Sequence, residues 1–146
     1  MTAKKIQQID FLPETRPIPK FDKVMLIDDS EADLFINGTI LKAMFFTKSI
    51  QEEMSSEKAL NYLKEITRLS DVPDVIFLDL NMPAMDGFEF LMEFNSLPDF
   101  VRNKCKIIVV TASPLEEDRH RAMMHPNVIR YFVKPLDAFH LREFIG

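Results

Sequence analysis

The chain has 146 residues, of which 47% are hydrophobic, and a formal net charge of −5. This length suits one domain with a full hydrophobic core, and the negative charge disfavours nucleic-acid binding, which uses a basic surface. The single cysteine, Cys105, excludes an internal disulfide, and no Cys/His metal spacing occurs. Because no stretch reaches the roughly 20 apolar residues that cross a bilayer, and no signal-peptide core follows the start, we expect a cytoplasmic protein with no membrane partner and no nucleic-acid partner.

Residues 1–22 differ in composition from the rest of the chain. Pro13, Pro17 and Pro19 lie among charged residues, and proline lacks the backbone N–H that regular structure uses. We expect residues 1–22 to form a flexible N-terminal tail and residues 23–146 to form one domain. An extended arm that packs on a partner is the alternative for the tail.

Five short apolar runs alternate with five helical patterns along the chain. The predicted strands are residues 23–29, 47–54, 74–79, 106–111 and 128–133, and residues 98–105 are expected to form a polar loop. This alternation predicts an α/β fold with a five-stranded parallel sheet covered by helices on both faces. A doubly wound, flavodoxin-like sheet with strand order 2-1-3-4-5 is the expected topology.

Capping residues indicate where the predicted helices begin. Ser30 precedes the first helix, and Asp33 lies in its first turn, where an acidic side chain favours the helix dipole. Asp86 has the pattern of a capping box before the third helix. Ser113, which is followed by a proline and by Glu116, predicts the start of the fourth helix.

Polar residues end four of the five predicted strands. Asp28 and Asp29 end the first strand, Asp79 ends the third, Thr111 ends the fourth and Lys134 follows the fifth. Ligands of open parallel sheets bind at the carboxyl ends of the strands. Clustered carboxylates repel one another unless a cation binds, and Mg²⁺ prefers oxygen ligands. With a hydroxyl and an ammonium beside them, these residues predict a site that transfers a phosphoryl group to a carboxylate.

The motif Asp-Leu-Asn-Met-Pro-Ala-Met-Asp-Gly at residues 79–87 resembles that of response-regulator receiver domains. The resemblance covers about residues 22–146. In plan, the chain is similar to the stand-alone chemotaxis receivers. It implies that Asp79 accepts a phosphoryl group from a histidine kinase or a histidine phosphotransfer protein. We expect the chain to assist its own phosphotransfer and dephosphorylation without being an enzyme that turns over substrates.

The same resemblance implies a metal-ligand set. Asp29 and Asp79 would bind Mg²⁺ directly, together with the backbone carbonyl of Asn81, while Asp28 would act largely through water. We expect no other cofactor.

The resemblance also implies how the signal leaves the site. Thr111 and Lys134 would contact the phosphoryl oxygens, and Tyr131 matches the family's switch aromatic. Tyr131 would swing inward when Thr111 moves toward the phosphoryl group; an ordinary tyrosine with an exposed hydroxyl is the alternative. Because no output domain follows in this sequence, we expect the signal to reach an unknown protein target through the fourth helix, the fifth strand and the fifth helix.

Three other functions account for this pattern less well than a receiver domain does. A flavodoxin-like flavin carrier needs a phosphate-binding loop after the first strand, where Asp28 and Asp29 would repel the phosphate. A Mg²⁺-dependent phosphatase with an aspartate nucleophile needs an acid two residues later, where this chain has Asn81. A scaffold or pseudo-receiver that is never phosphorylated would not need Thr111 and Lys134 around the acceptor.

Overall fold

A computed structural model describes residues 17–145 of the chain. Its sheet has five parallel strands in the order β2-β1-β3-β4-β5, so the predicted fold class and topology are confirmed. The strands are β1 (Phe21–Ile27), β2 (Thr47–Glu53), β3 (Val75–Leu78), β4 (Lys106–Thr111) and β5 (Val128–Val133). Most of the predicted tail lies outside the described residues, and its flexibility stays a prediction.

Six helices connect or follow the strands. They are α1 (Glu31–Ala43), α2 (Ser56–Glu65), α3 (Gly87–Phe94), α4 (Asp99–Lys104), α5 (Glu116–Met123) and α6 (Ala138–Ile145). Among the residues from 17 to 145, no helix is long and apolar enough to cross a membrane.

The short helix α4 corrects the prediction of a polar loop over residues 98–105. Val101 is completely buried, and Phe100 beside it is partly buried against the same core. The guanidinium of Arg102 also donates a hydrogen bond of 2.8 Å to the carbonyl of Leu97. One buried side chain in a six-residue helix is too short a pattern for sequence periodicity to detect.

The start of α5 also differs from the prediction. The helix begins at Glu116, and Ser113 does not cap it. The Ser113 hydroxyl instead accepts a hydrogen bond from the N–H of Leu115 and donates one to the Asp118 carboxylate. A serine that bonds two residues ahead forms a local turn, and this turn replaces the predicted cap.

Each face of the sheet has its own hydrophobic core. Ile76 and Leu78 of β3 pack into the core that holds the buried residues of α2, α3 and α5. Val75 and Phe77, which alternate with them, pack into the core that holds residues of α1 and α6. The strand is therefore buried on both sides, which explains its unbroken apolar sequence.

Candidate functional site

The carboxyl ends of β1 and β3 bring the predicted acidic residues together. Ile27 of β1 pairs with Leu78 of β3, and the N–H of Asp79 donates to the Ile27 carbonyl at 3.0 Å. Asp28 and Asp79 therefore follow neighbouring strands at the same height, and their residues are 3% and 5% exposed. Carboxylate oxygens of Asp28, Asp29 and Asp79 all lie within 4.8 Å of one another.

This donor set fits a hard divalent cation. Mg²⁺ takes oxygen ligands and usually keeps several waters, and here two of the three carboxylates are buried while Asp29 is exposed to solvent. Asp28, Asp29 and Asp79 are the residues that would hold such a cation. The N–H of Asn81 bonds the Asp79 carboxylate at 3.3 Å, and the ligand role of the Asn81 carbonyl stays a prediction.

Lys134 reaches the acidic cluster from the end of β5. Its backbone N–H donates to the Thr111 carbonyl at 2.8 Å, which extends the β4–β5 pairing by one residue. Its ammonium lies 2.7 Å from Asp33, 2.8 Å from Asp28 and 3.4 Å from Asp79. Burial alone would lower the pKa of Lys134, but the hydrogen bonds with Asp28 and Asp33 and the charge of Asp79 raise it above its usual value. The lysine is thus held in its charged form.

The environment of Asp79 disfavours the charged form of this carboxyl, whereas that of Lys134 favours the charged ammonium. Burial, followed by the nearby charge of Asp28, raises the pKa of Asp79 above its usual value. The charge of Lys134 and the N–H of Asn81 lower it again, but only in part. A buried carboxylate in this position is energetically unfavourable unless positive charge is close.

Thr111 and Tyr131 are linked by a chain of hydrogen bonds. The buried Thr111 hydroxyl accepts weak bonds from the Asn81 side-chain amide at 3.4 Å and from the Ser113 N–H at 3.3 Å. The Tyr131 hydroxyl donates to the Ser113 carbonyl at 2.9 Å. Tyr131 is only 5% exposed and packs in the core, so its ring lies inward in this structure. Its role as a switch residue stays a prediction.

Asp33 is the site residue that the sequence analysis missed. Its position in the first turn of α1 suggested only a favourable interaction with the helix dipole, and the Ser30 hydroxyl does accept a bond from its N–H at 3.2 Å. The structure adds a contact between its carboxylate and Lys134, 101 residues away. No local pattern signals such a long-range pair.

Gly87 fixes the turn that follows Asp79. The Asp86 carboxylate caps α3 as predicted, and it accepts a hydrogen bond from the Glu89 N–H at 2.9 Å. A Cβ atom on Gly87 would lie 2.6 Å from the carbonyl oxygen of Asp79 and 2.7 Å from the Cα of Leu80. Only glycine therefore allows α3 to begin directly against the backbone of Asp79 and Leu80.

Comparison with known proteins agrees with this geometry. The model of the response regulator receiver domain family matches residues 24–146. Among curated proteins, the chain is 30% identical over 122 residues to the sensor histidine kinase CheAY of Helicobacter pylori. The aligned region covers 84% of this chain but only 14% of the kinase. It is 25% identical over 124 residues to sporulation initiation phosphotransferase F of Bacillus subtilis, which covers 85% of the chain and 90% of that protein.

A solved structure shows the same similarity in three dimensions. The chain superposes on a two component response regulator from Cytophaga hutchinsonii with a TM-score of 0.78 and 31% sequence identity, over 88% of this chain and 95% of that one. The family match covers nearly all of the described domain, and the sheet order and acidic cluster are those that the resemblance predicted. This chain belongs to the family of response regulator receiver domains of two-component signalling systems.

Proposed function

We propose that this protein accepts a phosphoryl group on Asp79 from a histidine kinase or a histidine phosphotransfer protein. The observation that carries the proposal is the buried Asp79 carboxylate, which has oxygens of Asp28 and Asp29 within 4.8 Å and the Lys134 ammonium at 3.4 Å. The similarity to a sensor histidine kinase and to a sporulation phosphotransferase supports the same chemistry.

The chain's own residues supply the parts of a phosphoryl transfer. A carboxylate oxygen of Asp79 attacks phosphorus, a new O–P bond forms, and the P–N bond to the donor histidine breaks. Lys134, whose ammonium lies 3.4 Å from Asp79, stabilises negative charge on the transferred group, and the Thr111 hydroxyl can donate to a phosphoryl oxygen. Bound Mg²⁺ would supply further charge neutralisation at the carboxylates.

The phosphatase alternative lacks its acid/base residue. Asn81 occupies the position two residues after Asp79, and its N–H already bonds the Asp79 carboxylate. A side-chain amide has no group that titrates near neutral pH, so it cannot act as a general acid or base as a carboxyl group does. We therefore keep the phosphoacceptor as the proposed function.

Asp79→Asn tests the proposal directly. Asparagine nearly preserves the shape of the side chain but removes the nucleophile, so the variant should fold and remain unlabelled. Intact-mass spectrometry after incubation with acetyl phosphate and Mg²⁺ should show one added phosphoryl group on the wild type and none on Asp79→Asn. Asp99→Asn, which changes an exposed aspartate on α4, is the matched control and should be labelled like the wild type.

We also propose that the signal leaves through α5, β5 and α6. Residues 116–145, which we call the output face, adjoin the hydrogen-bond chain from Asn81 through Thr111 and Ser113 to Tyr131. If the Thr111 hydroxyl turns toward a phosphoryl oxygen, it gives up its bond with the Ser113 N–H, and Ser113 carries the carbonyl that holds Tyr131. A downstream protein would then bind the altered output face.

A further inference from the structure

Asp33 and Lys134 form an ion pair beside the acceptor that the proposed reaction does not use. The carboxylate of Asp33 lies 2.7 Å from the Lys134 ammonium, which is the shortest of the three contacts that this ammonium makes with carboxylates. Asp33 does not belong to the cluster of Asp28, Asp29 and Asp79. Its charge can therefore be removed while the three clustered carboxylates remain.

The three distances show where the ammonium is held. Lysine has three N–H donors, and charge-assisted bonds are strongest near 2.7–2.9 Å. Two donors serve Asp33 and Asp28 in that range, whereas the contact with Asp79 is 3.4 Å. The Ser30 cap holds the backbone of Asp33 in the first turn of α1, so its short side chain keeps the carboxylate on the α1 side of the ammonium.

We propose that Asp33 is a positioning residue that holds the Lys134 ammonium away from Asp79 and so slows phosphoryl acceptance. The inference rests on the proposed function, in which Lys134 stabilises charge on the transferred group. The oxygens of that group and the carboxylate of Asp33 compete for the same donors. Removal of the Asp33 charge lets the ammonium move to Asp79 and favours the transition state.

The rate of labelling by acetyl phosphate with Mg²⁺ tests this role. Asp33→Asn keeps the backbone N–H that Ser30 caps but weakens the pair with Lys134. Glu31→Gln is the matched control, because it removes one negative charge from the same exposed turn of α1. We expect Asp33→Asn to be labelled about two- to fivefold faster than Glu31→Gln, the range set by a partly exposed ion pair.

Two further measurements separate a positioning role from a general structural one. In a Lys134→Gln background, Asp33→Asn should accelerate residual labelling no more than Glu31→Gln does. In the wild type, the ammonium resonance of Lys134 in ¹H–¹⁵N spectra should show slow exchange with water, and Asp33→Asn should speed that exchange without Mg²⁺ or phosphodonor. Asp33→Ala should behave as Asp33→Asn does.

Each failure has a distinct meaning. If wild-type Asp79 is labelled but Asp33→Asn and Glu31→Gln have equal or reversed rates, the inference is wrong and the proposed function stands. A persistent acceleration by Asp33→Asn in the Lys134→Gln background would also overturn it, since the effect would not act through the ammonium. If the wild type is not labelled at all, the proposed function fails, and the inference fails with it.

Discussion

Asp79, the proposed phosphoacceptor, has a carboxylate that the fold disfavours in its charged form. Its carboxylate is buried beside Asp28, and the resulting loss of hydration raises its pKa. A buried carboxyl whose pKa is perturbed by desolvation and by a neighbouring charge is typical of functional sites. Lys134 offsets this cost only in part.

The pH dependence of stability should reveal this cost. Because the pKa of Asp79 is raised in the folded state, the folded protein binds more protons, and the carboxylate destabilises the fold as pH rises through that raised pKa. In a chelator, Asp79→Asn should therefore be more stable than the wild type at about pH 7, and the difference should shrink toward about pH 4, near the unfolded pKa. Urea unfolding across this range measures it; a difference that does not depend on pH would contradict the assignment.

The two glycines in the described helices differ in whether a larger side chain would fit at their position. Gly87 begins α3, where a Cβ atom would meet backbone atoms of Asp79 and Leu80 at 2.6 and 2.7 Å. Gly38 lies inside α1, where a Cβ atom would meet only side-chain carbons of Ile50 and Leu26 at 3.9 and 4.0 Å. The first glycine is required by packing and the second is not.

Alanine at these two positions should have opposite effects. Gly87→Ala should lower the free energy of unfolding by roughly 1–3 kcal/mol, because the backbone around Asp79 has to move. Gly38→Ala should raise it by up to about 1 kcal/mol, because alanine favours the helix and fits in ordinary contact. Urea unfolding of both variants measures the pair. Stabilisation by Gly87→Ala would show that α3 does not begin in close contact with the backbone of Asp79 and Leu80.

At the scale of the whole molecule, the site joins elements that are distant in sequence. Asp28 follows β1, Asp79 follows β3 and Lys134 follows β5, and the parallel sheet brings their side chains to one edge. A cation that binds there acts on the stability of the whole fold by mass action.

Mg²⁺ should stabilise the wild type through this cluster. At a concentration 100 times the dissociation constant, binding to the folded state alone would add about 2.7 kcal/mol. Asp29→Ala should abolish the response and leave a folded protein, whereas Asp99→Ala on α4 should keep it. Thermal melts with Mg²⁺ and with a chelator provide the measurement. An undiminished Mg²⁺ response in Asp29→Ala would remove this residue from the ligand set.

The response of the output face to phosphorylation should depend on the Thr111 hydroxyl. A hydrogen bond to a charged acceptor contributes roughly 1.5–3 kcal/mol, which changes a two-state ratio about tenfold or more. Thr111→Ala should still be phosphorylated on Asp79, but amide chemical shifts over residues 116–140 should respond only weakly to a non-hydrolysable phosphoryl mimic. Thr47→Ala, on the edge strand β2, is the control. A full wild-type response in Thr111→Ala would refute the Thr111–Tyr131 route.

The sequence by itself determined the alternation of strands and helices, and the identity of the residues that end the strands. Those signals are local, since the apolar run of β3 and the aspartate that follows it can be read from neighbouring residues. In the structure both faces of β3 are buried, and Asp79 follows its last residue. From these signals the sheet order and the cluster of Asp28, Asp29 and Asp79 could be predicted, since topology restricts how parallel strands meet.

Only the tertiary structure decided the features that depend on distant contacts. The Asp33–Lys134 pair joins residues 101 positions apart. The Tyr131 ring lies inward, where its hydroxyl donates to the Ser113 carbonyl. Helix α4 packs on the core through the buried Val101. Ser113 bonds Leu115 and Asp118 instead of capping α5. Side chains of this kind have several possible partners in sequence, and packing selects one of them.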